Sequence, residues 1–143
     1  MTRAIHPWQR LGRLVQVRLL WHDGGECGVT DFEAATVSLR RGMTQAQRRT
    51  TVLHECLHVE RGPVPTGLAA REELRVEKET VRLLLPDLAE VADVLRWAHD
   101  LHEAADELWV DEQALRVRLV HLRPAERAWL ARRLADPTRD GAA

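Results

Sequence analysis

Two histidines and a glutamate in the middle of the chain have the spacing of a hydrolytic zinc centre. The segment His54-Glu55-Cys56-Leu57-His58 reads H-E-x-x-H. On a helix, residues four apart project from the same face, because one turn takes about 3.6 residues. Both imidazoles can then bind one Zn²⁺, and Glu55 can face a water molecule as a general base. The alternative is a helix that carries two ordinary surface histidines.

The residues around the motif predict the helix that would position it. Thr44 and Gln47 have the T-x-x-Q spacing of a capping box. Residues 45–59 contain neither Pro nor Gly, and Gly62-Pro63 would end the helix. The motif is therefore expected in the second half of a helix of about four turns.

A catalytic zinc site usually has three protein ligands, so a third ligand is needed. Residues 71–85 lack Gly and Pro and precede Pro86, which predicts a second helix. The connector at residues 63–66 is long enough to fold this helix back against the first. One of its carboxylates can then reach the metal, although a solvated acidic face would show the same pattern. Spacing alone leaves four glutamates open: Glu72, Glu73, Glu77 and Glu79.

The stretch before the first helix is expected to form a small antiparallel sheet. Leu14–Leu20 is rich in Val and Leu and Thr36–Leu39 alternates, and both patterns are typical of strands. Between them, residues 23–25 (Asp-Gly-Gly) and 27–28 (Cys-Gly) indicate turns. The edge of such a hairpin can hold an extended peptide through main-chain hydrogen bonds, or it can simply complete the sheet.

After Pro86 the sequence pattern is helical. Asp87, Asp111 and Pro124 are expected to begin helices that end near Trp97 or Leu108, Leu122 and Leu134. Residues 136–141 are expected to form a frayed tail. Indole rings bury a large area, so four tryptophans are expected to pack in the interior or between units: Trp21, Trp97, Trp109 and Trp129.

With these features, the chain resembles the ImmA/IrrE family of zinc metallopeptidases. The H-E-x-x-H block is the specific part of the resemblance, which covers roughly residues 14–90. The similar stretches are Gly28–Thr30, Thr36–Leu39, Arg48–His58, Arg71–Glu73 and Leu83–Pro86.

The resemblance implies a site and a function. Counted back from Pro86, the family's metal-binding glutamate falls on Glu73, and Glu77, one turn further on, is the second choice. His54, His58 and Glu73 would be the Zn²⁺ ligands, and Glu55 would be the catalytic base. The substrate would be a specific protein, a DNA-binding repressor or an antitoxin, cut at one site. A metzincin is excluded, because Arg61 and Val64 stand at its Gly and third His positions.

We therefore expect an α+β fold with a small N-terminal antiparallel sheet packed on a zincin-like helix pair, followed by a helical C-terminal extension. The expected domains are residues 1–90, the metallopeptidase domain, and residues 91–143, the extension. The expected function is that of a zinc-dependent endopeptidase. The alternative is a regulatory binding protein that keeps zinc for stability and does not cleave its partner.

Composition limits the partners and the compartment. A net charge of −1 argues against broad electrostatic binding to nucleic acid. No apolar run approaches the roughly 18 residues that a membrane span needs, and residues 1–10 lack the apolar core of a signal peptide. A cytoplasmic location is therefore expected, where Cys27 and Cys56 would be reduced thiols. A peptidase also needs an oxyanion donor, and this chain has no Tyr, so the donor would be a His, an Arg, a backbone amide or the metal itself. The candidate histidines are His22, His99 and His102.

Overall fold

The computed structural model describes residues 5–135, and the tail predicted at residues 136–141 lies outside them. The described chain has an α+β fold, which confirms the predicted class. Its elements in order are α1 (Pro7–Gly12), β1 (Arg18–His22), β2 (Gly28–Asp31), β3 (Thr36–Arg40), α2 (Gln45–Arg61), a short 3₁₀ helix (Thr66–Leu68), α3 (Ala69–Leu84), α4 (Leu88–Trp97), α5 (Leu101–Glu107), α6 (Glu112–Val120) and α7 (Pro124–Ala135).

The sheet is mixed, so the prediction of an antiparallel sheet was wrong. Its strand order is β1-β3-β2, with β1 parallel to β3 and β2 antiparallel to it. The two strands expected to form a hairpin, β1 and β3, are therefore parallel neighbours, and the hairpin joins β2 to β3. Gly24 and Gly25 do form the expected turn after β1, with φ of +66° and +73°. That turn leads the chain into a strand that the sequence pattern did not reveal.

Helix α2 begins and ends where the sequence predicts. Thr44 accepts a hydrogen bond from the Gln47 amide, and the Gln47 side chain accepts one from the Thr44 amide, so the capping box is formed. At the other end Gly62 has a φ of +84°, which a residue with a side chain rarely adopts, and its N–H donates to the His58 carbonyl. The seventeen residues between them form a helix that carries the H-E-x-x-H motif in its second half.

Most of the buried apolar side chains of residues 5–135 belong to two clusters. The first lies between the sheet and α2 and contains Val37, Leu39, Met43, Val52 and Cys56. The second runs from Val81 on α3 to Val117 on α6 and is supplied by α3 through α6. This second cluster crosses the boundary predicted between residues 90 and 91, because the end of α3 packs with the helices that follow it. The division into two domains stays a prediction.

Three of the four tryptophans expected inside are exposed. Trp21, Trp97 and Trp109 expose 41%, 51% and 62% of their surface, so the expectation of burial was wrong for them. Trp21 lies on the edge strand β1 and stacks on Trp8 of α1, with ring centroids 6.5 Å apart. An edge strand is covered on one side only, which leaves part of such a ring in solvent.

Candidate metal centre

The motif residues project from two neighbouring faces of α2. His54 and His58 lie one turn apart and face α3, and their rings meet edge to face with centroids 4.8 Å apart. Thr51 and Glu55 also lie one turn apart and line the side of α2 next to β2. The rotation of about 100° per residue separates the two pairs, so one helix presents metal-ligand groups and a carboxylate to the same cleft.

Glu73 on α3 brings its carboxylate to both imidazoles. His54 Nε2 lies 2.7 Å from Glu73 Oε1, and His58 Nε2 lies 2.8 Å from Glu73 Oε2. The two Nε2 atoms are 3.2 Å apart. Among residues 5–135 these three side chains form the group whose ligand atoms could hold one metal ion, with all such atoms within 4.8 Å of one another.

The spacing of these atoms suits a small divalent cation. Ligand atoms about 2.0–2.1 Å from a tetrahedral zinc lie roughly 3.3 Å from one another. The two Nε2 atoms are 3.2 Å apart, and each lies slightly closer, at 2.7 and 2.8 Å, to a different oxygen of Glu73. An imidazole with its proton on Nε2 can donate to Glu73, and a bound cation would replace that proton. Two imidazoles and a carboxylate therefore fit zinc in both chemistry and spacing.

The connection between the two helices fixes the position of Glu73. Arg61, the last residue of α2, donates to the carboxylate of Glu72 in the first turn of α3, at 2.5 and 3.4 Å. This hydrogen bond holds the pKa of Glu72 below its usual value. Because Glu72 precedes Glu73 directly, the Arg61–Glu72 pair ties the start of α3 to the last turn of α2, which carries His58.

Glu55 is the most deeply buried acidic side chain of the cleft. It is 5% exposed, and its Oε2 accepts a hydrogen bond from the Thr30 hydroxyl at 2.5 Å. Residues 28 and 30 of β2 share one face of the sheet with Val37 and Leu39 of β3, the face that packs on α2. The position of strand β2 therefore places the Thr30 hydroxyl group next to Glu55 of the H-E-x-x-H motif.

Position 28 of strand β2 is a glycine because no side chain fits there. A Cβ at this position would lie 2.6 Å from Thr51 Cγ2 and 2.8 Å from Glu55 Oε1. The sequence pattern assigned Gly28 to a turn, and that assignment was wrong. Glycine is required here for the close approach of strand and helix, with no positive φ involved. The sequence pattern did not identify Thr30 as a partner of Glu55 or explain why residue 28 is a glycine. Both points follow from strand β2, which was not predicted from the sequence.

The cleft beside the cluster has a volume of about 870 Å³. Strand β2 forms one wall, α2 forms the floor, and the connector after α2 with the start of α3 forms the other wall. Strand β2 is an edge of the sheet, and the exposed Cys27 stands just before it on the rim. His54, Glu55, His58 and Glu73 all line this cleft.

Other residues singled out from the sequence lie elsewhere or face other partners. Glu77 and Glu79 are not part of the cluster described for residues 5–135, and Glu72 binds Arg61. Cys56 is fully buried in the core, as the helix register predicts, and burial raises its pKa to about 12. None of the three histidines considered as oxyanion donors lines the cleft within the described chain: His22 contacts Ser38 and Glu26, His99 pairs with Glu103, and His102 pairs with Asp106.

Comparison with known proteins gave no relative: no family model, no curated protein and no solved structure matches the chain. Within residues 5–135, every helix is too short or too polar to traverse a lipid bilayer.

Proposed function

We propose that this chain is a zinc-dependent endopeptidase that resembles the ImmA/IrrE family and hydrolyses a peptide bond in a specific protein substrate. The observation that carries the proposal is the convergence of His54, His58 and Glu73 next to a buried Glu55 in one cleft. A surface pair of histidines does not require a carboxylate from another helix within 2.8 Å of both rings.

The residues divide into ligands and a base. His54 Nε2, His58 Nε2 and one or both oxygens of Glu73 would hold Zn²⁺. When bound, zinc lowers the pKa of water and polarises a carbonyl group. Glu55 takes a proton from the attacking water and gives it to the leaving amine. Oε2 of Glu55 accepts from Thr30, so Oε1, which has no hydrogen-bond partner among residues 5–135, is the oxygen that moves the proton.

The shape of the cleft supports a polypeptide substrate. An extended peptide can pair with an unpaired sheet edge through main-chain hydrogen bonds, and β2 is a sheet edge that forms one wall of the cleft. A peptide laid along β2 would pass over α2 beside the cluster. The class of the substrate, a DNA-binding repressor or an antitoxin, is proposed from the resemblance alone.

A non-catalytic zinc protein is the second candidate. Structural zinc sites are usually closed by four protein ligands, whereas catalytic sites have three. The cluster described within residues 5–135 has three donor side chains and opens into the cleft, which favours the catalytic reading.

The decisive experiment compares the wild type with Glu55→Gln. Both proteins, loaded with one equivalent of Zn²⁺, are incubated with the DNA-binding proteins encoded beside this gene, and the products are identified by intact-protein mass spectrometry. We expect the wild type to cut one of them at one site and Glu55→Gln to cut none. Glu90→Gln, which removes an exposed carboxylate on α4, should behave as the wild type.

Zinc content separates the possible results. Glu55→Gln should bind as much zinc as the wild type, because Glu55 is not one of the three donors. Equal cleavage by the wild type and Glu55→Gln would remove Glu55 as the base. Full zinc binding without cleavage of any neighbouring DNA-binding protein would favour the non-catalytic candidate.

A further inference from the structure

The catalytic glutamate of the proposed site is fixed by a strand that lies outside the H-E-x-x-H motif. Glu55 is on α2, and the groups that confine its carboxylate are Thr30 and Gly28 on β2. Strand β2 is held by β3 on one side, in the register Gly28 with Leu39 and Thr30 with Val37. On the side that faces α2, the strand meets Thr51 and Glu55.

We propose that Thr30 is a positioning residue that holds the Glu55 carboxylate in its working orientation, and that Gly28 provides the space for this orientation. The proposal rests on the proposed peptidase function. Thr30 does not reach the three metal-ligand side chains, so it would act through Glu55 and not on the metal or the substrate.

The geometry gives each oxygen of Glu55 a separate role. Oε2 accepts a hydrogen bond from the Thr30 hydroxyl group. This hydrogen bond prevents the carboxyl group from rotating freely about its last bond. Oε1 lies where a side chain at residue 28 would stand, 2.8 Å from the position of such a Cβ. A general base must be placed before its proton affinity matters, because the transfer requires contact at about 2.6–3.2 Å. The two strand residues thus define which oxygen faces the cleft.

Burial makes the Thr30 contact consequential. A carboxylate that is 5% exposed has little water to replace a lost hydrogen bond, and an unsatisfied buried acceptor is costly. Without the hydroxyl, Glu55 is expected to turn toward another donor or toward water in the cleft. Either movement changes the orientation of both oxygens of the Glu55 carboxylate.

The first test needs no substrate and uses the metal-free full-length chain. NMR of the wild type should show a slowly exchanging Thr30 hydroxyl proton with a cross-peak to Glu55. The exposed Thr66 should show no such proton. Thr30→Val keeps the shape of the side chain and removes the hydroxyl, and it should shift the carboxyl ¹³C resonance of Glu55. Thr30→Ser should restore the wild-type resonance.

The second test separates positioning from structure through the kinetics of cleavage of the protein that the wild type cuts in the assay above. Thr30→Val should lower kcat by about 10- to 100-fold, because a misplaced general base loses part of the roughly 10²- to 10⁴-fold that it contributes, with KM and zinc affinity within about twofold. Thr30→Ser should recover kcat to within about threefold.

The role of Gly28 is tested by a matched pair. Gly28→Ala should displace Glu55 or push β2 from α2, and it should lower kcat by at least about 10-fold. Gly67→Ala adds a methyl group where nothing lies within 4 Å and should change kcat by less than about twofold. If Gly28→Ala fails to fold, Thr30→Val still decides, because its volume matches the wild type.

The outcomes distinguish this inference from the proposed function. A Thr30 hydroxyl proton that exchanges as fast as that of Thr66, or a Thr30→Val variant with wild-type kcat, overturns the positioning role. Cleavage that survives in Glu55→Gln removes Glu55 as the base, and the positioning role falls with it. Full zinc binding by a wild type that cleaves nothing overturns the proposed function, and the NMR result can then still show whether Thr30 orients Glu55.

Discussion

Helix α3 carries one polar cluster near each of its two ends, and the clusters differ in how the charge of their carboxylate is matched. Near its start, Glu73 meets the two imidazoles of α2. Near its end, Arg82 donates to both oxygens of Glu126 on α7, at 2.9 Å each. We call the first the histidine cluster and the second the arginine cluster. Each joins α3 to another helix, but only in the arginine cluster is the carboxylate matched by permanently charged side chains of the protein.

The arginine cluster satisfies its carboxylate with donors of this chain. Glu126 also accepts from the Arg123 amide at 2.8 Å and lies 3.7 Å from Arg118. Arg118 is 2% exposed and donates to the Leu85 carbonyl at 2.9 Å. Burial lowers the pKa of Arg118. For Glu126, burial acts to raise the pKa, but the Arg123 amide and the two guanidinium groups outweigh it and lower the pKa.

The histidine cluster has the opposite composition. Neutral imidazole nitrogens and a carboxylate are all ligands for a cation, and none of the three carries a fixed positive charge. A proton on each Nε2 can hold them together, and a divalent cation can do so better. The comparison teaches that a carboxylate matched by guanidinium groups of its own chain is held in the fold by charge, whereas a carboxylate that meets only neutral imidazoles leaves a group that could hold a cation.

The largest expected effect tests the arginine cluster. Glu126→Gln would leave the buried Arg118 and its neighbour Arg82 without their carboxylate. Removal of one partner from a buried pair is strongly destabilising, so the free energy of unfolding in urea should fall by about 3 kcal/mol. Zinc affinity should stay within about twofold, because the two clusters share no residue. Glu112→Gln, which breaks an exposed pair with Arg116, is the control and should cost at most about 0.5 kcal/mol.

The histidine cluster should give the reverse pattern. Glu73→Ala should weaken zinc binding by at least about 100-fold, which is about 2.7 kcal/mol, measured by competition with a chromophoric chelator. Its metal-free form should unfold almost as the wild type does, because the Glu73 side chain is 58% exposed. Glu77→Ala is the matched control on the same helix and should stay within about threefold. Loss of zinc in Glu77→Ala and not in Glu73→Ala would reject the ligand assignment.

Short sequence patterns predicted the two helices that carry the histidine cluster, because each pattern lies within a few neighbouring residues. The capping box at Thr44, the stop at Gly62 and the motif between them place α2 without reference to the rest of the fold. Helix α3 could also be predicted from its own residues, but helical spacing did not decide which of its four glutamates would be the third ligand. The choice of Glu73 came from the resemblance. The structure brings Glu73 together with His54 and His58, and its role as a ligand stays a prediction.

Contacts between distant segments were not predictable in the same way. The direction of β1 relative to β3 is a property of the sheet, and two strand-like segments around a turn cannot show that a third strand lies between them in the chain. Thr30 and Gly28 contact Glu55 only when β2 packs on α2, so their role could not be predicted from the residues around them. The arginine cluster was missed for the same reason, since Arg118 looks like a surface residue until α3, α6 and α7 come together.

Acid pH should expose the arginine cluster through a smaller effect. Because the pKa of Glu126 is lower in the folded protein than its ordinary value of 4.5, the unfolded chain binds the extra proton first. This contribution to stability is present above the ordinary pKa and is lost as the pH falls through the lowered one. The Tm of the metal-free wild type should fall between about pH 5 and pH 3, and less steeply in Glu126→Gln. Parallel curves would show that Glu126 does not carry the acid sensitivity.

The smallest expected effect uses the two cysteines as reporters of the open cleft and the closed core. Cys27 is exposed on the cleft rim, and Cys56 is fully buried on the inner side of α2. Iodoacetamide at neutral pH should therefore add one group, at Cys27, which mass spectrometry of peptides can locate. Zinc affinity should be unchanged, because Cys27 is not a donor of the cluster. Cleavage should slow if the peptide passes along β2, while Cys27→Ser should resist the reagent and cut normally. Rapid modification of Cys56 in the native protein would mean that α2 separates from the sheet, and the same helix could not then hold two imidazoles against Glu73.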